Sequence, residues 1–463
     1  MNYELLFAAA GASAVRVGLV GAGEFGRSFV AQALAAPGLD VVAVADTDVE
    51  RARATYRSAG VDDAAVAVCD GVAAAAASLE RGRRVVVPDG RLLVELAVDV
   101  VVEATGNPEA GAAVAAAAIE HGRHVAMVSK EAESVVGPEL AARAAAAGVV
   151  YTLVDGDQPS LLVGLVSWAR ALGLEVVSAG KSSEYDFVLD PTTEIVRWRG
   201  RAVPAPGLAK LWHLAPDAVA ATVAARGALL AELPQRTVPD LCEMGIVTNA
   251  TGLGPDTPAF HVPVARAVEV PEVLRPRADG GILERAGVVD VFNCLRRPDE
   301  ASFAGGVFVV VACTDRATWR VLAEKGIPVS RDGAHGLLYN PQHLLGVEAP
   351  MSVLAACRLG QPTGARAPRP LVDLVARAAR HWRRGEVLAV TDHHHHEVAG
   401  LDPELVDGVA VGERGPLPYY MAVDRRLTRD LAPGELVTRD AVEAPDDSVL
   451  WALRAAQDER FHG

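Results

Sequence analysis

Basic residues are scarce in this sequence relative to acidic ones. Lys and Arg number 44 against 59 Asp and Glu, which gives a formal net charge of −15. Nucleic acid and anionic membrane surfaces attract cationic proteins, so we expect neither as a partner. Any phosphate-bearing ligand must therefore be held by local backbone and a few cations.

Cysteines and long apolar runs are also few. No C-x-x-C spacing occurs among the cysteines, and we predict buried thiols in a reducing compartment. No apolar run approaches the length of a membrane span, and no basic segment precedes the N-terminal apolar stretch. We therefore expect a cytoplasmic protein. The five cysteines are Cys69, Cys242, Cys294, Cys313 and Cys357.

Aromatic residues make up only 5% of the chain, although 51% of its 463 residues are hydrophobic. Alanine is abundant instead, which suits helices packed closely over a parallel sheet. This length predicts two or three domains.

The first third of the chain alternates short apolar segments with alanine-rich helical patterns. Near-continuous apolar segments are typical of parallel strands that are covered on both faces. We therefore predict an α/β fold, with a doubly wound parallel Rossmann sheet over residues 1–154. The predicted strands are VRVGLV, VVAVAD, VVVEAT, HVAMVS and VVYTLVD.

Two further domains are expected. Residues 155–364 mix strands, helices and glycine-rich turns, which predicts an α+β substrate or catalytic domain. It should end in a helix around residues 350–359 that packs back near the nucleotide fold. A proline-rich linker over residues 361–370 then leads to a small β-rich module at 371–463.

The strongest motif is a G-x-G-x-x-G turn between the first predicted strand and helix, followed by an acid twenty positions later. Gly21 allows a tight turn, Gly23 lets backbone approach a pyrophosphate, and Gly26 allows helix and strand to pack closely. Asp46 would accept hydrogen bonds from the adenosine ribose, which favours NAD over NADP, although Arg51 could swing in. Alternatively, Asp46 only caps a turn. The predicted cofactor-binding residues are Gly21, Ala22, Gly23, Glu24, Phe25, Gly26, Asp46, Thr105 and Gly106.

Thr105 and Gly106 belong to a turn that follows another strand, on the nicotinamide side of such folds. An ordinary strand-to-helix loop would have the same sequence.

Glu131 follows the strand HVAMV at the carboxyl edge of the sheet, where ligands bind. Lys130 and two acids there would suit the orientation of substrate and cofactor, and solvated loop charge is the alternative.

Further candidates lie at the domain junction and beyond it. Asp157 is placed for hydroxyl binding, metal binding or proton transfer, or else forms an Asx turn. Lys181 would donate a proton to a reacting carbonyl if its pKa is lowered, or else is an exposed loop lysine. Glu243 and Asn249 flank an apolar element. His343 is a further candidate, although a histidine on a helix is more often structural than catalytic.

The run from Asp392 to Glu397 contains four adjacent histidines. Four adjacent imidazoles cannot all face one metal in a regular element, so we predict a mobile loop at His393–His396 that binds transition metals only opportunistically.

The order of these segments resembles the homoserine-dehydrogenase-like oxidoreductases that carry a C-terminal SAF domain. The resemblance is strongest to the branch like 1-deoxyxylulose 5-phosphate reductoisomerase. It rests on VGLVGAGEFG, VVEATGNPEAG, HVAMVSKEAE, DGDQPS, GKSSEYDFV, NATGLGPDTP, GGILERAGVVD, LYNPQHLLGVE and the tail after Pro418.

The resemblance implies nicotinamide-driven hydride transfer and a catalytic domain that also forms a homo-oligomer. It places Glu131, Asp157, Lys181, Glu243, Asn249 and His343 on motifs that line a substrate cleft. The chain departs from the reductoisomerase-like pattern at Gln158 and Ser160, at Ser182–Glu184 and near Pro239–Asp240. Losing an acid and two cations there should weaken a site for a phosphate and a divalent metal.

We therefore expect an NAD(P)-dependent oxidoreductase that acts on a small polyhydroxylated or amino-acid-like carbonyl compound. Reductoisomerase and homoserine dehydrogenase activities are the enzymatic alternatives. An NAD(P)-binding sensor or assembly protein is the alternative outside enzymes.

Overall fold

The computed structural model describes residues 2–8, 13–391 and 396–463. Its first part is built around a parallel sheet with strand order β3-β4-β2-β1-β5-β6-β7. The strands are β1 Val15–Val20, β2 Leu39–Ala45, β3 Val66–Val68, β4 Arg84–Val87, β5 Val100–Glu103, β6 His124–Met127 and β7 Tyr151–Leu153. The helices are α1 Tyr3–Phe7, α2 Glu24–Ala33, α3 Val49–Ser58, α4 Val72–Glu80, α5 Gly90–Val94, α6 Pro108–Glu120 and α7 Lys130–Ala147.

This sheet confirms the predicted α/β fold. The valine-rich strands are buried on both faces, because α2 and α3 cover one face and α6 and α7 the other. Every strand pair in the sheet is parallel. The direction of strand addition reverses at β1, which pairs with β2 on one side and β5 on the other. A ligand-binding crevice is expected at such a switch point, outside the carboxyl ends of the strands.

The second part contains a mixed sheet with strand order β11-β10-β9-β14-β8-β15-β16. Its strands are β8 Val176–Ser182, β9 Phe187–Asp190, β10 Ile195–Trp198, β11 Arg201–Pro204, β12 Gly254–Pro255, β13 Val264–Ala265, β14 Val288–Arg296, β15 Val307–Ala312 and β16 His335–Asn340. Its helices are α8 Gln158–Ala171, α9 Val219–Leu229, α10 Val238–Thr251, α11 Val270–Val273, α12 Arg316–Glu324 and α13 Pro350–Leu354.

Helix α13 continues into a π-helical turn over Ala355–Leu359. Val353 and Leu354 are buried in one apolar cluster with Leu19 of β1 and Phe29 of α2. The predicted helix that returns to the nucleotide fold is therefore confirmed.

The last part holds a two-stranded antiparallel sheet and further short bridges. Its elements are β17 Val372–Ala378, β18 Leu401–Asp407, α14 Tyr419–Ala422 and α15 Val449–His462. The sequence pattern predicted the β content but not helix α15. This helix returns to the first part, where Arg460 pairs with Glu139 and Ser448 donates to Glu109. Its partners lie more than 300 positions earlier in the chain, so no local sequence pattern predicts this packing.

The domain boundaries at 154, 364 and 371, and the SAF identity of the last part, stay predictions. The proline-rich segment is anchored rather than free: Thr363 donates its N–H to Thr152, and Leu371 donates its N–H to Asn249. In the described part of the chain, no helix is long and apolar enough to cross a bilayer.

Candidate active site

The turn after β1 has the backbone that a dinucleotide requires. Gly21 has φ +99°, and a Cβ atom there would lie 2.3 Å from the carbonyl oxygen of Ala104. A Cβ atom on Gly26 would lie 2.1 Å from the carbonyl oxygen of Gly21, so helix and turn pack without room for a side chain. A Cβ atom on Gly23 would meet no atom within 4 Å. Two glycines therefore serve packing, and the third leaves open space.

A cavity of about 890 Å³ opens over the carboxyl ends of β1, β2, β4 and β5. Gly21, Gly23, Asp46 and Thr105 border it, together with Arg51. Helix α2 begins at Glu24 and Phe25, directly after Gly23, so the positive end of its dipole faces this space. The shape and the glycine backbone fit a dinucleotide, with its pyrophosphate at the start of α2. Asp447 and Val449, beside the start of α15, line the same cavity and were not predicted.

Asp46 lies at the end of β2 and is already hydrogen bonded within the protein. Its carboxylate accepts the N–H of Ala22 at 2.7 Å, the N–H of Asp48 at 2.8 Å and the guanidinium of Arg51 at 2.7 Å. Burial opposes its charge, but the bonds from Arg51, Ala22 and Asp48 together lower the pKa of Asp46. The carboxylate stays charged, anchors the turn after β1 and lines the cavity.

A second set of polar groups lies where the two large sheets meet. We call Lys130, Lys181, Asp240 and Glu243 the lysine–carboxylate cluster. Lys130 begins α7 three residues after the end of β6, and Lys181 lies on β8. Asp240 and Glu243 are three residues apart on α10 and therefore share one helix face.

Glu243 bridges the two lysines. One of its carboxylate oxygens accepts from Lys130 and the other from Lys181. Lys181 also contacts Asp240 at 3.0 Å, and Asp240 accepts from the hydroxyl of Ser183 at 2.9 Å. The side chain of Lys181 is 1% exposed, whereas that of Lys130 is 25% exposed. Lys130 is therefore the cation that faces solvent.

These contacts keep every member of the bridge ionised. Burial opposes the charge of Glu243, but Lys130 and Lys181 lower its pKa to about 2. Burial likewise opposes the charge of Lys181, but Glu243 and Asp240 raise its pKa above the usual range. The pKa of Lys130 is also raised, against its burial, by Glu243, Asp157 and Glu131. The expectation that the pKa of Lys181 is lowered, which proton donation by this residue required, is thus wrong.

Asp157 and His343 adjoin the cluster. Asp157 caps α8 and lines one small cavity together with Lys130. Burial raises the pKa of Asp157, and burial lowers the pKa of His343. Asp157, Lys181 and Glu243 are all close enough to affect the charge of His343. The structure therefore brings four predicted residues together: Asp157, Lys181, Glu243 and His343.

Glu131 lies close enough to Lys130 and Asp157 to interact with their charges, but it also contacts the last part of the chain; Asn249 has other surroundings. The carboxylate of Glu131 lies 3.6 Å from the ring of His396 in the last part of the chain, and burial raises its pKa to about 7. Asn249 accepts from the N–H groups of Leu371 and Val372 and donates to the carbonyl of Val372. Its contacts are structural, and a catalytic role for it stays a prediction.

Sequence reasoning missed Asp240 and gave Lys130 no catalytic role. Asp240 precedes Glu243 by three residues, a helical spacing that offered a signal once α10 was known. Of the histidine run, 392–395 lie outside the described residues. Among the described residues, no group of three or more metal-binding side chains is arranged to hold a metal ion.

The fold and the glycine turn define the class of a dinucleotide-binding enzyme with a separate catalytic domain. The sequence matches the model of the homoserine dehydrogenase NAD-binding domain over residues 21–153. It matches the model of the catalytic domain of oxidoreductase DRL over residues 156–349. Together these matches support an NAD(P)-dependent dehydrogenase or reductase. No curated protein matches the sequence.

Several solved structures are similar to part of the chain. One is the myo-inositol dehydrogenase from Lactobacillus casei with NAD(H) and myo-inositol, at 20% identity over 38% of this chain and 47% of that chain, with a TM-score of 0.26. Another is an oxidoreductase domain protein from Kribbella flavida, at 22% identity over 39% of this chain and 44% of that chain, with a TM-score of 0.29. The chain thus spans about half the length of these structures, and at these TM-scores the likeness says nothing about substrate.

Proposed function

We propose that the protein is an NAD(P)-dependent oxidoreductase that transfers a hydride to or from a small polyhydroxylated or amino-acid-like carbonyl compound. One observation carries the proposal. The cavity opens over the carboxyl ends of β1, β2, β4 and β5, and Lys130 of the cluster lies at the same edge of the first sheet, where it begins α7 three residues after the end of β6, the neighbour of β5.

The cofactor would be held by the turn from Gly21 to Gly26, by Asp46 at the ribose, and by Thr105 and Gly106 on the nicotinamide side. When bound, it supplies or accepts the hydride. The protein's own residues must then bind the substrate and stabilise charge that develops on its oxygen.

Lys130 is the residue that suits this second task. It is a charged donor at the cofactor edge, and a quarter of its side chain is exposed. We propose that its ammonium group donates a hydrogen bond to the carbonyl oxygen of the substrate and stabilises the negative charge that develops there. Lys181 is fully buried between Asp240 and Glu243, so its task is to hold Glu243 in position.

Asp157 and His343 are placed to orient substrate hydroxyl or amino groups beside Lys130. Within the described residues, both lysines of the cluster are already paired with carboxylates. A phosphate group would find little uncompensated positive charge there. This balance favours an uncharged or amino-acid-like substrate over the sugar phosphate of a reductoisomerase.

The carboxylate of Asp46 favours NAD over NADP, as the sequence predicts, because it repels a 2′-phosphate. Arg51 lines the same cavity and is half exposed, so NADP binding at lower affinity is expected as well.

The test is turnover with a panel of hydroxy acids, amino alcohols, polyols and sugar phosphates, each with both cofactors. We expect oxidation or reduction of at least one unphosphorylated compound. Lys130→Met should then lower kcat by about 100-fold or more, since removal of one donor that stabilises a developing oxyanion costs about 10²–10³ in kcat. Cofactor binding without turnover of any compound would favour the sensor alternative instead.

A further inference from the structure

A buried glutamate lies beneath the nicotinamide side of the cavity. Glu103 is the last residue of β5, and its side chain is fully buried. Among the described residues it forms no ion pair, and its Oε2 atom has no hydrogen-bond partner. Burial raises its pKa, and the mechanism above gives it no task.

Its carboxyl group lies beside two turns at the edge of the sheet. Oε1 accepts the N–H of Thr105 at 2.9 Å, and Ser129 lies close enough to oppose the rise in the pKa of the carboxyl group. Ser129 in turn accepts the N–H of Gly106 at 2.8 Å. The turn after β5 is therefore tied to the residue that directly precedes Lys130.

Glu103 does not reach the cavity itself. A Cβ atom on Gly111 of α6 would lie 3.0 Å from Oε2 and 3.2 Å from the Cβ atom of Ala132 on α7. The carboxyl group is thus enclosed between the two helices. It acts through the N–H of Thr105, whose neighbour Gly106 bonds to Ser129, and it cannot touch a ligand.

We propose that Glu103 is a positioning residue that fixes the nicotinamide half of the cofactor relative to Lys130. This inference rests on the proposed function. The turn after β1 takes the pyrophosphate and Asp46 takes the adenosine ribose on the β2 side of β1. The other half of the dinucleotide therefore extends over β5 and β6, where Glu103 holds the turn after β5 through Thr105 and Ser129 ties that turn to the start of α7.

The experiment compares two ligands, NADH and ADP-ribose, which lacks the nicotinamide. Glu103→Ala should weaken NADH binding about tenfold, or about 1.4 kcal/mol, and change ADP-ribose binding by less than about twofold. Glu103→Gln keeps an acceptor for the N–H of Thr105, so it should restore most of the NADH affinity. If Glu103 had only a structural role, the variant would weaken the binding of both ligands by the same factor.

Glu133→Ala is the matched control. Glu133 is another buried glutamate of the same region, its pKa is raised to about 7 by burial, and it bonds to Tyr151 instead of the cavity turns. It should lower stability and leave the ratio of the two affinities unchanged. If Glu103→Ala does not fold, Ser129→Ala is used instead, because it removes the hydrogen bond to Gly106. It should also weaken NADH binding more than ADP-ribose binding, by a smaller factor.

The inference is overturned if the variants lose NADH and ADP-ribose affinity equally, or bind NADH as the wild type does. Failure of the wild type to bind either ligand would instead contradict the proposed function.

Discussion

The dinucleotide turn and the lysine–carboxylate cluster solve the problem of binding charge in opposite ways. The turn uses backbone N–H groups and the absence of side chains at Gly21, Gly23 and Gly26. The cluster uses four charged side chains, three of them fully buried, that neutralise one another. A defect in the turn should therefore appear first in ligand binding, and a defect in the cluster first in stability.

The largest effect is expected inside the cluster. Lys181→Met leaves Asp240 and Glu243 buried with less positive charge, and breaking a buried ion pair from one side costs about 3–5 kcal/mol. Urea denaturation should show a loss of that size in the free energy of unfolding. Lys130→Met is the matched control: its side chain is partly exposed, so the loss should be clearly smaller. Equal losses would contradict the division of tasks between the two lysines.

In the turn, Gly21 and Gly23 should behave differently. Gly21→Ala forces a methyl group against Ala104 at positive φ, which should lower Tm and weaken NADH binding about 100-fold. Gly23→Ala meets no protein atom, so Tm should stay within the error of the measurement. Its methyl group enters the space for the pyrophosphate, and about tenfold weaker binding is expected in fluorescence titrations. A destabilised Gly23→Ala would show that the turn is packed differently.

The cluster should also set part of the acid sensitivity. The pKa of Glu243 is lowered from 4.5 to about 2 in the folded protein. Its contribution to stability is therefore complete above the unfolded value and is lost as pH falls towards about 2. Denaturation curves between these limits should show a shallower loss for Glu243→Gln than for the wild type, even though the variant starts less stable. Parallel pH profiles would mean that the pKa of Glu243 is the same in the folded and unfolded states, so that the two lysines do not lower it.

The smallest effect concerns Arg51 at the rim of the cavity. Arg51→Ala removes one exposed cation and frees one acceptor of Asp46. NADPH binding should weaken about two- to fivefold, in the range of an exposed charge pair, while NADH binding stays nearly constant. Calorimetry with both cofactors measures this ratio, and a uniform change for both would remove Arg51 from cofactor selection.

The same contrast explains what the sequence revealed. The glycine turn and Asp46 lie within one strand-helix-strand unit, so spacing alone identified them, and the structure confirms the parallel sheet around them. For Lys181, the sequence predicts either a proton donor or an exposed loop lysine. Its burial was not predictable, because Asp240 and Glu243 reach it from α10, about 60 positions later in the chain. Helix α15 and the cavity residue Asp447 were missed for the same reason.

The most direct test of the account is calorimetric titration of the full chain with NADH and with NADPH. We expect one cofactor per chain, tighter binding of NADH than of NADPH, and an affinity about 100-fold weaker in Gly21→Ala. The absence of heat with either cofactor at millimolar concentration would contradict it.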